Sequence, residues 1–189
     1  MTRMTVQDFE ARYRQEPDPW SYETSDYERV KYQRTLAACG PGPFSAALEL
    51  GCSIGVFTAL LAERCQRLVA IDGSATALQR AQARLADDPH VHFALGAIPS
   101  AIPESPCELV IASEILYYLD EIDLTNTLRR LRSLMMPGCR LVAVHWRSPG
   151  PERPLSAEYV HRLVSEQRWL RHVDSRPDPA YLLDIWDRG

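Results

Sequence analysis

The sequence predicts an α/β domain built on one open, mostly parallel sheet of seven strands, with helices on both faces and an antiparallel last strand. Three observations predict it. The run Ala47-Leu48-Glu49-Leu50 passes through Gly51-Cys52-Ser53-Ile54-Gly55 straight into Val56-Phe57-Thr58-Ala59-Leu60-Leu61, which reads as strand, tight loop and helix. Strand-like and helix-like patterns then alternate, the arrangement a parallel sheet needs because each crossover carries a helix. Two short strand-like runs, 169–173 and 181–186, close the chain as a hairpin.

In chain order, Met1-Thr2-Arg3-Met4-Thr5-Val6-Gln7-Asp8 lacks the apolar core of a secretory signal, so a cytoplasmic location is expected. The segment from Phe9 to Tyr22 is aromatic and charged and ends in Pro17-Asp18-Pro19-Trp20-Ser21-Tyr22. Its prolines favour extended backbone, and an irregular arm across the domain is expected. Ser25-Asp26-Tyr27-Glu28 has capping-box spacing, so a helix should run to about Ala38 and stop at Gly40-Pro41-Gly42-Pro43. Residues 1–43 therefore read as an N-terminal arm and lid helix, and 44–189 as the ligand-binding domain of one structural unit. Trp20 and Tyr22 are placed either to close over a ligand or to pin the terminus to the core.

The second strand, Arg67-Leu68-Val69-Ala70-Ile71, stops at Asp72, and Ser74 caps a helix with Leu78, Ala81 and Leu85 on its inner face. A third strand covers 90–95, with His90 and His92 expected towards solvent. Cys107-Glu108-Leu109-Val110-Ile111-Ala112-Ser113 is apolar enough for a central buried strand. The next helix puts Leu124, Leu128, Leu131 and Met135 on one face and Arg129, Arg130 and Arg132 off it, with Pro137-Gly138 as its stop. Arg140-Leu141-Val142-Ala143-Val144-His145 is the fifth strand. The proline-rich loop 147–154 is longer than an ordinary connection, which marks it as functional. Ser156 caps a last helix, and 174–179, with Pro177 and Pro179, joins the closing strands.

Composition narrows the function classes. With 189 residues, 46% of them hydrophobic, the chain suits one domain with a proper core. A formal charge of -4 and a pI near 5.7 argue against nucleic acid as the partner, and no apolar run is long enough to cross a bilayer. Cys39, Cys52, Cys65, Cys107 and Cys139 have neither zinc-ligand spacing nor a disulfide framework. Without a conspicuous exposed apolar stripe, a monomer or weak homodimer is expected.

The loop spacing separates two ligand classes. A dinucleotide loop needs glycine at relative positions one, three and six, here Gly51, Ser53 and Val56, so two of three fail. An acidic residue followed by glycines at one, three and five is met by Glu49, Gly51 and Gly55 and missed only at Ser53. This resembles the first motif of class I S-adenosylmethionine (SAM)-dependent methyltransferases. Asp72, at the end of the second strand, can accept hydrogen bonds from both hydroxyls of a ribose. The bland readings are a glycine turn without a ligand and a solvated or capping acid.

Asp18-Pro19-Trp20, Leu48-Glu49-Leu50-Gly51-Cys52, Gly55 with Phe57-Thr58, Arg67-Leu68 with Ile71-Asp72, and Glu108-Leu109-Val110-Ile111 with Glu114-Ile115-Leu116-Tyr117-Tyr118-Leu119 together resemble the nodulation protein S family over 18–144. The resemblance implies a Rossmann-like methyltransferase domain that uses SAM and releases S-adenosylhomocysteine. Family members methylate the free amine of a deacetylated chitooligosaccharide, so an amine of a small molecule or amino sugar is the implied acceptor. The cofactor-binding set it implies is Trp20, Glu49, Gly51, Cys52, Ser53, Gly55, Asp72, Gly73, Ala97, Ile98 and Ser113. Ala97 stands where family members commonly carry an adenine-binding aspartate, which leaves backbone groups near Ala97 and Ile98 for that contact. The stretch Glu114-Ile115-Leu116-Tyr117-Tyr118 retains only one acid of the metal-associated Glu-x-x-Glu-His pattern of other methyltransferases, so no metal is expected.

Methyl transfer to nitrogen needs a neutral amine. Glu114 and His145, at the ends of the fourth and fifth strands, are the candidates to hold the amine or take its proton; their alternatives are a helix cap and a pocket-wall hydrogen bond. Tyr22, Tyr117, Tyr118 and Trp146 are the expected acceptor walls. O-methylation, a non-catalytic SAM-binding role and, against Ser53 and Val56, an NAD-dependent oxidoreductase remain the other readings.

Overall fold

Five strands run parallel, β1 (Ala47–Leu50), β2 (Leu68–Asp72), β3 (Val91–Leu95), β4 (Cys107–Ser113) and β5 (Met135–Trp146), and two follow as a hairpin, β6 (Leu170–Ser175) and β7 (Tyr181–Arg188). Their order in the sheet is β3-β2-β1-β4-β5-β7-β6, with β7 antiparallel to both neighbours. The order reverses between β1 and β4, which opens a crevice at their carboxyl ends. This computed structural model describes residues 3–148, 150–176 and 178–189; Met1 and Thr2 of the amino-terminal stretch, Pro149 of the proline-rich loop and Pro177 of the last connection lie outside them.

Side-chain alternation along the strands builds two apolar layers. From β4, Leu109 and Ile111 join Tyr32, Phe57 and Leu61, on α2 (Asp26–Cys39) and α3 (Val56–Ala62). Val110 and Ala112 point the other way, to Leu124, Leu128, Val160 and Val164, on α5 (Glu121–Leu134) and α6 (Ala157–Ser165). α4 (Ala75–Arg84) buries Ala77, Leu78 and Ala81. Among the described residues no helix is long and apolar enough to cross a membrane.

Four local expectations are corrected. The irregular arm is in its first half a helix, α1 (Val6–Gln15), because Thr5 and Asp8 form a reciprocal capping box just upstream of Phe9. Pro17 and Pro19 only prevent its continuation. At α2, Ser25 accepts from the Glu28 N–H at 3.3 Å, but the Glu28 carboxylate accepts from Lys31 Nζ at 2.9 Å instead of completing the box. Pro137-Gly138 does not stop α5, which ends at Leu134. Both residues sit in a bulge of β5, where Cys107 pairs with Met135 and Leu109 already pairs with Arg140. A bulge tolerates a residue without an N–H, and Gly138 supplies a φ of +80°. His92 is exposed as expected, but His90 is half-buried, its Nε2 3.1 Å from the Ala62 carbonyl oxygen.

Leu109 lies on a central strand and is fully buried. Leu109→Ala should destabilise the fold by about 2–5 kcal/mol, the usual cost of a core leucine truncation, with the denaturant midpoint as the measure.

Candidate active site

A cavity of about 380 Å³ occupies the crevice. Its floor comes from the carboxyl ends of successive strands: Gly51 and Ser53 after β1, Asp72 and Gly73 at β2, Gly96, Ala97 and Ile98 after β3, and Ser113, Glu114 and Ile115 after β4. Its roof is the turn-and-a-half from Met4 to Phe9 with Tyr13, Trp20 and Tyr22, and Tyr118 and Leu119 close one side.

The first turn is tightly specified. Gly51 has φ +74°, and a Cβ there would meet the Ile115 side chain at 3.0 Å. Ser53 follows at φ +51°, and its N–H donates to Asp72 Oδ2 at 2.8 Å. The Ser74 N–H donates to Asp72 Oδ1 at 2.8 Å, so one carboxylate staples the β1 loop to the start of α4. Each oxygen keeps a second acceptor position for a hydroxyl of a ligand. Burial raises the Asp72 pKa, and the N–H bonds oppose that shift.

Below the loop a smaller pocket of about 30 Å³ is lined by Glu49, Cys52, Tyr32 and Phe57, with Tyr22, Ser113 and Glu114 shared between the two spaces. Glu49 is 3% exposed and its Oε2 has no hydrogen-bond partner. Burial pushes its carboxyl up to about 7. An orphaned buried carboxylate oxygen is costly, and one that faces a pocket is suited to a polar ligand group.

α1 and the segment before it are fastened over the cavity at four places. Glu10 accepts from Ser74 Oγ and Thr76 Oγ1 at 2.7 Å and from the Thr76 N–H at 3.1 Å, bonds that hold its pKa down at about 2. Arg12 pairs with Glu152 at 2.6 Å, and Arg3 reaches Asp120 at 3.0 Å and Asp123 at 2.8 Å. The hydroxyls of Tyr13 and Ser53 are hydrogen-bonded across the roof. The sequence signal for this roof is the spacing of Val6, Phe9 and Tyr13 on one helical face behind Thr5-x-x-Asp8.

Glu114 sits at φ +55°, uncommon for a side chain of its size. Its own N–H donates to the Val144 carbonyl at 2.8 Å, its Oε1 accepts from Lys31 Nζ at 2.8 Å, and its Oε2 accepts from the Trp146 N–H at 3.0 Å and from the Tyr117 hydroxyl.

Of the residues expected at a site, the structure brings Trp20, Tyr22, Gly51, Ser53, Asp72, Gly73, Ala97, Ile98, Ser113, Glu114 and Tyr118 to the cavity wall, and Glu49 and Cys52 to the smaller pocket. Four are elsewhere. The space a Cβ on Gly55 would fill is taken by Ala81 of α4 at 2.9 Å, so this glycine lets α4 pack against the loop. Tyr117 is buried behind the wall and Trp146 is 44% exposed outside it, with the Arg153 guanidinium 4.9 Å and 5.1 Å from their ring centroids. His145, expected as a base, is fully buried: its Nε2 accepts from the Leu116 N–H at 3.1 Å, and its Nδ1 lies 2.9 Å from His161 Nε2. With both nitrogens engaged away from the cavity, it cannot take a proton there.

Burial, then His161 and Lys31, lowers the His145 pKa well below its ordinary value. The unfolded chain takes up this proton near pH 6.5 while the folded chain resists it, so stability falls as pH drops below about 6.5. His145→Gln should flatten that acid-side slope, measured by denaturant midpoints at pH 7.5 and 5.

The family model for nodulation protein S (NodS) matches residues 2–173. Nodulation protein S of Rhizobium tropici is 33% identical over 127 residues, 66% of this chain and 53% of its own, so the chain spans about half the length of that relative. An uncharacterized methyltransferase of Mycobacterium tuberculosis is 28% identical over 131 residues, 69% of this chain and 62% of its own. Among solved structures, N-methyltransferase NodS from Bradyrhizobium japonicum WM9 in complex with S-adenosyl-l-homocysteine aligns with a TM-score of 0.86 and 25% identity, covering 97% of this chain and 98% of that one. A putative methyltransferase from Pseudomonas syringae aligns with a TM-score of 0.75 and 36% identity, over 86% and 99%. On these matches the chain, a Rossmann-like methyltransferase fold, belongs to the nodulation protein S family.

Proposed function

We propose that the chain is a SAM-dependent methyltransferase acting on an amine of a small molecule or amino sugar, with residues 1–43 as its lid. One observation carries this reading: the cavity is bounded by a carboxylate held by two backbone N–H groups, with acceptor positions to spare, beside a glycine turn that no side chain can fill. Asp72 would hold the ribose, the turn from Gly51 to Ser53 with Glu49 the amino-acid end, and the backbone at Ala97 and Ile98 the adenine edge. When bound, the sulfonium supplies a methyl carbon open to in-line attack. The chain's own residues orient the acceptor and exclude water, which together contribute about 7–11 kcal/mol in well-aligned reactions.

Roofing by α1, Trp20 and Tyr22 supports a closed, dry site. Glu114 is the charged group suited to the amine: three donors reach its carboxylate, which leaves one of about four acceptor positions for an amine N–H. Tyr118 offers a flat wall beside it. Tyr117 supports Glu114 from behind and is not proposed to touch the acceptor.

Calorimetric titration of the chain with S-adenosylhomocysteine and with NAD tests the reading. Binding of the first and not the second is expected, and the reverse would overturn it. Asp72→Ala should weaken S-adenosylhomocysteine binding by about 1–3 kcal/mol, the penalty for unpaired polar groups. Glu114→Gln should lower turnover on an amino-sugar acceptor on the order of tenfold or more, through misplacement of the amine, and spare cofactor affinity.

A further inference from the structure

Behind the cavity wall lies a chain of hydrogen bonds that the proposed chemistry does not use. It starts at Asp184 of β7, whose Oδ2 is 2.6 Å from His161 Nδ1 on α6, continues from His161 Nε2 to His145 Nδ1 at 2.9 Å, and ends with the Leu116 N–H on His145 Nε2 at 3.1 Å. His145 and His161 are 0% and 4% exposed. Leu116 follows Glu114 and Ile115 and precedes Tyr118, so its N–H anchors the turn that presents all three to the cavity.

The proton count along this chain admits one arrangement. A backbone N–H can only donate, so His145 Nε2 must be bare and its single proton must sit on Nδ1. That proton points at His161 Nε2, which must then be bare as well. The His161 proton is left on Nδ1, where the Asp184 carboxylate accepts it. An extra proton on His161 would set two N–H groups against each other. Relief requires His145 to move its proton to Nε2, where it faces the Leu116 N–H, and the anchor of the turn is lost. The geometry points to Asp184 and His161 as positioning residues: they fix which nitrogen of His145 carries the proton, and so hold the turn of Glu114, Ile115 and Tyr118 against the cavity.

Charged and aromatic groups from several elements face the two rings. His145 faces Lys31 from α2, His161 from α6 and the Tyr117 ring, 5.0 Å between centroids. His161 faces Asp184 from β7, Glu158 from its own helix and the Trp186 ring at 5.7 Å. The outer oxygen of Asp184 accepts from Ser175 and lies 3.5 Å from His172 Nε2 on β6, which is exposed, so the acid end is near solvent. Glu114 gains twice, since its carboxylate also accepts from the N–H of Trp146, the residue after His145.

That the turn matters for methyl transfer rests on the proposed function; the proton arrangement does not. Heteronuclear NMR of the histidine rings in the full chain near neutral pH should show His145 protonated on Nδ1 and bare at Nε2. On acidification the Leu116 amide resonance should shift in the same step in which the pair takes up a proton. His161→Leu should shift that amide already at neutral pH and lower kcat on the order of tenfold, with S-adenosylhomocysteine affinity unchanged. His145→Gln, which keeps an acceptor for the Leu116 N–H, should retain more of kcat than His145→Leu. A proton on His145 Nε2 in the wild-type chain, or a Leu116 amide indifferent to the acid titration, overturns the relay even if no variant folds. If the wild-type chain methylates no amine, the proposed function fails while the ring spectra still decide the relay.

Discussion

Two N–H groups that belong to different βα units, those of Ser53 and Ser74, converge on the Asp72 carboxylate, and the rest of the site is arranged around that convergence. It sets the spacing between the β1 turn and the start of α4. The same helix start is then bonded by Glu10, so α1 inherits its position over the cavity from α4. Hydrogen bonds to a charged group are each worth about 1.5–3 kcal/mol net, so this junction outweighs any single surface ion pair that fastens the roof. Arg12 and Glu152, for instance, are 37% and 41% exposed and contribute little by comparison. The ion pairs orient the roof, and the Glu10 bonds hold it.

Lys31 is the counterpart on the other side of the cavity. It is 3% exposed and donates to both Glu28 and Glu114, two carboxylates from different parts of the chain. Burial alone would lower its pKa, but Glu114 and Glu28 prevail and raise it, so the ammonium is charged whenever the site works. Burial raises Glu28, whose Oε2 lacks a partner. A buried pair contributes little net stability against an apolar substitute, whereas loss of one member costs about 3–5 kcal/mol. The reason to keep such a cluster is therefore geometric: it ties α2 to Glu114 and holds that residue at a positive φ it would not adopt unaided.

Periodicity made the sheet legible, because central strands buried on both faces and helices with one apolar face leave unmistakable patterns, and the closing hairpin at 169–186 implied the antiparallel β7. The floor of the cavity was equally legible, since Gly51, Ser53 and Asp72 belong to consecutive strand ends whose neighbours in space follow from topology alone. What sequence spacing cannot convey is where a side chain at a strand end points. His145 and Glu114 both stand at the carboxyl edge, yet one is turned into the α6 side of the core and the other into the crevice. Gly55 shows the same limit, because a glycine needed for a helix that arrives later in the chain looks like one needed for a ligand. The roof is less legible because Pro17 and Pro19 dominate the segment from Phe9 to Tyr22, whereas the signal that starts α1, the cap at Thr5 and Asp8, lies upstream of it.

The placement of the histidine pair explains why the loss of a base at position 145 does not weaken the case for nitrogen chemistry. A base buried in the core would need a proton path to the acceptor, and the side-chain hydrogen bonds of His145 run, among the described residues, to Leu116 and His161, away from the crevice. A carboxylate at the wall needs no such path. In the proposed site Glu114 would meet the acceptor in a cluster of two carboxylates and one ammonium, whose surplus negative charge favours capture of a cationic amine over a neutral alcohol. Capture as an ammonium would have to be followed by loss of one proton, to Glu114 or to water, before the nitrogen has a lone pair; a remaining N–H of the neutral amine would then point at Glu114 and the lone pair into the cavity where the methyl donor would lie.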